Sequence, residues 1–388
     1  LASFSGSSSY YRTNDGFLLK GSSIIRCPVK KKLRTLPSAS SIGDYAFANC
    51  SFYSTNIPLN FTLSSSITSI GSYAFHNFRS TTYFKILGSV SISSYAFASC
   101  TASSIEINSA KSIGDYAFSS ASTTSLQIPT SLTSISNAAF VFSNIRSFRM
   151  PTIGPYFSVQ SGSLFNFNNQ TLYRYAGTSS SYTVPRTVKI INHYAFHGSS
   201  LYTISFSSIY NLTTIYSYAF YSCTRLQSIT LPDNVTYIGN YAFSKCTALS
   251  YINFPKKLQT LGYGAFESCS LSSSAINIYG SFAQLPYYCF NSSSVRNVTI
   301  HAVITSLYDY AFNNCSQLVS ITLPSSLLYI SRYAFYNCRS LTKIDIPDNV
   351  RNIDGYAFYG CSGLTSMIIP NQTTQIAYYA YSLCCYSI

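Results

Sequence analysis

Cysteine is the residue type in this sequence with the greatest capacity for chemistry. The chain has 12 cysteines. Nine of them share one position, three residues after a recurring Phe or Tyr: Cys50, Cys100, Cys223, Cys246, Cys269, Cys315, Cys338, Cys361 and Cys384. Because free cysteine packs like a small hydrophobe and is often buried, we predict that these thiols form a reduced structural ladder. Disulfides between neighbouring rungs are the alternative, and they require the two Cβ atoms to face each other.

Other side chains that commonly catalyse reactions are sparse and scattered. His193 and His197 lie four residues apart around one turn, a spacing that lets two ligands share a metal. No Cys or carboxylate in the same repeat completes a ligand set, so we expect both to be ordinary surface residues. Most of the ten carboxylates are scattered singly over different repeats, and the sequence has no CxxC pair, phosphate loop, HExxH or GxSxG motif. The pattern predicts a protein that is not an enzyme and needs no cofactor.

A tandem repeat sets the spacing of these residues. The tripeptide Tyr-Ala-Phe or a close variant recurs about every 23 residues, within the range of leucine-rich repeats. Residues 223–246 and 338–361 share the frame CxxLxxIxIPxxVxxIxxYAFxxC. The alternating apolar residues predict a short strand with one buried face, and the Pro ends that strand because it lacks a ladder N–H. A second apolar set returns along the other side of the coil, so only stacked repeats bury it.

The sequence therefore predicts a leucine-rich repeat solenoid of about 14 repeats of about 23 residues. We expect it to be right-handed and curved, with a parallel β-sheet on the concave face and short strands, turns or single helical turns on the other. Residues 14–37 and 161–176 are predicted to form two inserted β-hairpins, the first of which shields a sheet edge. The predicted organisation is an N-terminal hairpin or capping unit at 1–40, repeats at 41–150, an irregular hairpin-containing insertion at 151–190 and repeats at 191–388.

Charge points to an acidic partner. The chain has 24 Lys and Arg against 10 Asp and Glu, a net charge of +14. The run Lys30, Lys31, Lys32 and Arg34 is the densest basic segment, and we expect it to attract an acidic glycan or an acidic protein. Nucleic acid is a less favoured partner because the sequence has no groove-reading helix or RNA-binding signature. No apolar run is long enough to span a membrane.

The outward side of the predicted strands is a second candidate surface. If the alternating Ile and Leu point inward, the residues between them line the exposed sheet. Most are Ser, Thr and Asn, which suit hydrogen bonding to a polymer or glycan. The charged and aromatic candidates for binding on this face are Tyr83, Lys85, Arg149, Tyr251 and Lys343. A solvated sheet without a ligand is the alternative.

The repeat frame LxxIxIPxxVxxIGxxAFxxC closely resembles that of the BspA-like leucine-rich repeat surface proteins of anaerobic bacteria and parasitic protists. The resemblance covers about residues 36–384. It implies a cell-surface or secreted location and a role in adhesion to host matrix proteins and cells. This chain departs from the family pattern in its richness in Ser and Tyr and in its irregular repeats near 51–66 and 141–175.

Two functional hypotheses follow. The first is an adhesion or recognition protein, at the cell surface or secreted, whose partner is an extracellular matrix or host-surface protein or an acidic glycan. The second is a structural repeat protein that self-associates by packing into a filament or coat, for which the C-terminal coil, without a predicted shield, is a candidate contact.

Overall fold

The computed structural model describes residues 5, 11–14, 17–27, 36–52, 61–80, 83–206, 211–273 and 275–384. The chain forms two compact units, Leu1–Gly177 and Thr178–Ile388, and their boundary falls inside the segment 151–190 that was predicted as an insertion. Each unit is a β-solenoid in which the strands of one coil pair in parallel with those of the next. The described residues contain no helix, so turns and short strands, without helical turns, complete each coil. None of the described segments therefore offers a helix that could cross a membrane.

In the first unit, two strands run through the full width of their coils. Tyr83–Ile92 and Ser104–Ile113 pair in parallel, with Phe84 opposite Ile105 and Ile92 opposite Ile113. The other strands of this unit are Tyr11–Asn14, Phe17–Lys20, Ser23–Arg26, Ser41–Ile42, Ser51–Phe52, Phe61–Leu63, Ser69–Ile70, Arg79–Ser80, Ser122–Thr123, Ser125–Gln127, Ser134–Ile135, Asn144–Ile145, Phe148–Arg149, Phe157–Gln160, Ser163–Asn166 and Thr171–Arg174.

In the second unit, the coils contribute strands to two separate parallel columns, and the last two coils contribute a strand to only the second of them. The column at the LxxIxI position of the repeat comprises Ser181–Val184, Thr203–Phe206, Ser228–Ile229, Tyr251–Ile252, Ile276–Ile278, Asn297–Ile300 and Ser320–Thr322. The column before the Tyr-Ala-Phe turn comprises Ile190–Ile191, Thr214–Ile215, Tyr237–Ile238, Thr260–Leu261, Gln284–Leu285, Ser306–Leu307, Tyr329–Ile330, Asn352–Ile353 and Gln375–Ile376. The strands are short because Pro or a turn residue ends each one.

Both predicted hairpins are present in the first unit. Phe17–Lys20 and Ser23–Arg26 pair antiparallel around Gly21, whose φ of +58° favours glycine. Ser163–Asn166 and Thr171–Arg174 pair antiparallel around the predicted Asn-Asn turn. Each hairpin also has a preceding third strand that the sequence pattern did not indicate. Ser23–Arg26 pairs with the strand of the first coil, which covers one edge of the parallel sheet as expected.

A stack of buried phenylalanine rings forms the core of each unit. In the first unit the ring centroids of Phe47, Phe75, Phe97, Phe118 and Phe140 are 4.9–5.8 Å apart. In the second unit the stack has spacings of 4.8–5.5 Å and comprises Phe196, Phe220, Phe243, Phe266, Phe290, Phe312, Phe335, Phe358 and Tyr381. Each inner ring of a stack packs between the rings of the two adjacent coils, which is why a single repeat cannot bury its own apolar face.

The tyrosine of the tripeptide adopts a left-handed backbone conformation. Its φ lies between +53° and +61° in coil after coil, a region that is uncommon for residues other than glycine, Asn and Asp. Stacking of these tyrosine rings between neighbouring coils offsets the backbone strain. The ring centroids of Tyr310 and Tyr333, for example, are 4.8 Å apart. Gly264 takes the tyrosine position in its coil at φ +57°, and a Cβ there would lie only 2.4 Å from Cε1 of Tyr241.

Candidate functional site

The ladder cysteines of the second unit bond to the backbone of the preceding coil. Each Sγ donates a hydrogen bond of 2.9–3.2 Å to the carbonyl oxygen of the Phe one coil earlier, as from Cys338 to Phe312. Ser293 holds the same position in its coil and donates to the carbonyl of Phe266 at 2.5 Å. In the second unit the position therefore takes a small side chain that can donate a hydrogen bond inside the core.

Burial makes these thiols poor nucleophiles. Eight of the nine predicted ladder cysteines are buried, Cys384 is half-buried, and no described cysteine is in a disulfide. Burial raises the pKa of Cys100 to about 12, and it also raises the pKa of Cys223 and Cys246. Since the thiolate is the reactive form, little of it exists on these residues at neutral pH.

Cys27 lies outside the ladder and contacts a ladder thiol. A hydrogen bond between the thiols of Cys27 and Cys50 raises the pKa of Cys27 and lowers the pKa of Cys50. Burial adds to the increase at Cys27, and both side chains are buried. This pair joins the N-terminal hairpin to the first coil through the core.

The histidines belong to stacked aromatic columns. The expectation that His197 is a surface residue was wrong: it is buried, and its ring stacks on Tyr221 with a centroid distance of 5.3 Å. His193 is half-buried, stacks on Tyr216 at 4.7 Å, and has its pKa lowered by burial. Within the described ranges, no three His, Cys, Asp or Glu side chains lie close enough to hold a metal ion.

The candidate residues on the strand face are spread over several coils of the two units. Tyr83 and Lys85 are half-buried in the first unit, and Lys85 Nζ lies 2.7 Å from Oε1 of Glu106. Arg149, in the same unit, is exposed. Tyr251 and Lys343 are exposed in the second unit, on strand-face positions of different coils, and Lys343 pairs with Asp345 of its own coil at 3.0 Å.

The hydroxyl and amide character predicted for the strand face holds at most positions. Thr203 and Ser205 are exposed, and Oγ1 of Thr183 lies 2.9 Å from Oγ of Ser205 on the neighbouring strand. Ser125 is an exception, because it is only 7% exposed. Such a face can donate and accept hydrogen bonds, and it holds isolated cations rather than a dense charge cluster.

Two further sets of basic residues are candidates for binding. Lys30, Lys31, Lys32 and Arg34, the predicted basic segment, lie outside the described residues. A second set was missed by sequence reasoning: Arg186, Lys189, Lys256 and Lys257 are all exposed. They fall just after Pro185 and Pro255 of the repeat frame, so aligning the repeats on proline would have placed them at equivalent turns.

Comparison with known protein families identifies the repeat. The model of the BspA type leucine rich repeat region matches residues 26–62, 40–161, 166–294 and 283–388. These ranges include the cysteine, proline and Tyr-Ala-Phe positions described above. Among curated proteins, none matches this chain.

Two solved structures share the fold over most of their length. A leucine-rich repeat protein from Eubacterium ventriosum is 25% identical, with a TM-score of 0.65, and the match covers 92% of this chain and 94% of the other. The pneumococcal vaccine antigen PcpA is 16% identical with a TM-score of 0.56, and the match covers 83% of this chain and 82% of the other. The second likeness concerns the fold alone.

Proposed function

Because the chain belongs to the BspA-type leucine-rich repeat family, we propose that it is a non-enzymatic recognition protein, exposed at a cell surface or secreted, that adheres to an acidic partner. The observation that carries this proposal is the charge imbalance. With 24 Lys and Arg against 10 Asp and Glu, at least 14 cations have no carboxylate to pair with one to one. Such an excess attracts anionic partners over long range.

The exposed side chains support binding rather than catalysis. The thiols of Cys100, Cys223 and Cys246 are buried, and burial raises their pKa values, whereas hydroxyl groups, amides and cations face solvent. These groups bind through hydrogen bonds and charge, without an activated nucleophile. The partners that fit are an extracellular matrix or host-surface protein with an acidic surface, or an acidic glycan.

The test is binding of the purified full chain to immobilised acidic and neutral ligands by surface plasmon resonance. We expect saturable binding to a sulfated glycosaminoglycan or to a matrix protein, and none to neutral dextran. Affinity should fall at least about tenfold between about 0.05 M and about 0.5 M NaCl because salt screens exposed charges. The proposal fails if none of the ligands binds saturably, or if binding is insensitive to salt.

A variant tests the N-terminal basic segment separately. Changing Lys30, Lys31, Lys32 and Arg34 together to Ser removes four positive charges, so we expect weaker binding to acidic ligands. Unchanged affinity would show that this segment is not the contact and that cations elsewhere on the chain are.

A further inference from the structure

We infer that one edge of the second unit is a binding site for an acidic polysaccharide. This edge, called the basic edge here, consists of Arg186, Lys189, Lys256 and Lys257. The inference rests on the proposed function, and it adds the location of the site and the class of the ligand.

Backbone and side-chain contacts show that the basic edge spans four consecutive coils, with its cations on the first and the fourth. The side chain of Asn211 in the second coil donates to the carbonyl of Arg186 in the first, at 2.9 Å. Lys257 Nζ in the fourth coil donates to Oδ1 of Asn234 in the third, at 2.8 Å. The backbone N–H of Thr236 donates to the carbonyl of Thr213, at 2.9 Å, which joins the third coil to the second. With strands about 4.8 Å apart, the two pairs of cations lie about 15 Å from each other.

Charge is concentrated in this half of the second unit. Residues 178–297 hold seven Lys and Arg and two carboxylates, a net charge of +5, whereas residues 298–388 hold four of each. All four residues of the basic edge are exposed. None of them forms an ion pair with a carboxylate in the described part of the unit.

Other cations in the same half are held against aromatic rings. The guanidinium of Arg225 lies 4.6 Å from the ring centroid of Tyr202, and Lys245 Nζ lies 5.1 Å from that of Tyr221. The basic edge therefore holds most of the positive charge in this half that has no aromatic partner. Its four side chains project from equivalent turns of the repeat.

The groups between the cations select the class of ligand. The exposed amides of Asn211, Asn234 and Gln259 lie on the intervening and final coils, and they suit the hydroxyl groups of sugars. Arg186 can bind a sulfate or carboxylate in bidentate fashion. The exposed carboxylate of Asp233 stands on the third coil and repels an evenly charged chain of phosphates. A polysaccharide with anionic groups at intervals fits this arrangement better than a nucleic acid.

The experiment compares two variants of the full chain that lose equal charge. The edge variant changes Arg186, Lys189, Lys256 and Lys257 to Ser, and the control variant changes Arg296, Arg332, Arg339 and Arg351, which are also exposed, to Ser. Heparin serves as the sulfated polysaccharide, with neutral dextran and double-stranded DNA as further probes. Thermal unfolding followed by circular dichroism establishes that both variants are folded.

We expect the edge variant to bind heparin at least about tenfold more weakly and the control variant to lose less than about threefold, since four exposed charges act together only where they line one site. Equal losses in both variants would overturn the inference, as would a loss confined to DNA. If the unaltered protein binds heparin and the edge variant binds it equally well, this inference fails while the proposed function stands. If the unaltered protein binds no acidic ligand, both fail.

Discussion

At the scale of single residues, burial decides what the chemically capable side chains do. In the second unit the ladder position takes a thiol or a hydroxyl, and the thiols and Ser293 donate to the carbonyl of a Phe one coil away. In the first unit the same position is also Phe78 and Ala121. The feature shared by the coils of the second unit is thus a small donor inside an apolar core. His197 shows the same effect, because its ring is part of a stacked column instead of a surface group.

We predict that the free energy of unfolding falls as the pH rises above about 9. A thiol in the unfolded chain titrates near about 8.5, whereas burial raises the pKa of Cys100 to about 12. The stabilisation by the buried, neutral thiol of Cys100 is therefore complete when the pH is below the pKa of the unfolded chain. It is lost as the pH rises toward 12. Urea unfolding at several pH values between about 7 and about 11 measures this slope.

The variant Cys100→Ser provides the control for that slope. Its hydroxyl does not titrate in this range, so stability should depend less steeply on pH than in the unaltered chain. The tyrosines whose pKa is raised by burial, such as Tyr310, act in the same direction and remain in both proteins. Identical pH dependence in the two proteins would show that Cys100 contributes nothing.

At the scale of the repeated element, the phenylalanine stack is what couples one coil to the next. The ring centroid of Phe312 lies 5.2 Å from that of Phe290 and 5.4 Å from that of Phe335, and all three side chains are fully buried. In a repeat protein, stability is approximately a sum of terms within coils and between neighbouring coils. The central ring of each coil contributes to both kinds of term.

We expect Phe312→Ala to lower the free energy of unfolding by about 3–5 kcal/mol, because it leaves a cavity between two rings that cannot close over it. Tyr329→Ala is the matched control in the next coil. Its side chain is 43% exposed, so the expected loss is below about 1 kcal/mol. Urea denaturation of both variants measures the difference, and similar losses would contradict the role of the stack.

At the scale of the whole molecule, net charge separates the two functional hypotheses. A net charge of +14 makes copies of the chain repel one another, which favours a protein that binds an acidic partner over one that packs with itself. The filament or coat hypothesis stays a prediction with its own test.

We expect the chain to sediment as a monomer over a wide range of concentration at low ionic strength, since repulsion between copies is least screened there. Analytical ultracentrifugation measures the distribution of species, and a repetition with heparin present shows whether neutralising the charge changes it. Growth into larger ordered species without any acidic ligand would support the filament hypothesis instead.

The architecture of the coil follows from local features of the amino-acid sequence. A period of about 23 residues, an alternating strand pattern ended by proline, and one Phe per repeat predict a solenoid with a phenylalanine core, since period-two alternation and a missing proline N–H act locally. The hairpins could also be predicted from the sequence, because their alternating residues and their turn residues lie within a few positions of one another. The binding residues expected on the strand face stay a prediction, and they lie in several coils of both units.

Contacts between residues of different coils depend on how the coils stack. Arg186 and Lys256 are far apart in the sequence, and the stacking of four coils brings them to one edge of the second unit. Stacking likewise buries His197 and holds tyrosines such as Tyr310 in a left-handed conformation. The physical reason is that these outcomes depend on the side chains of neighbouring coils, whose contacts form only when the backbone ladders set the register between repeats.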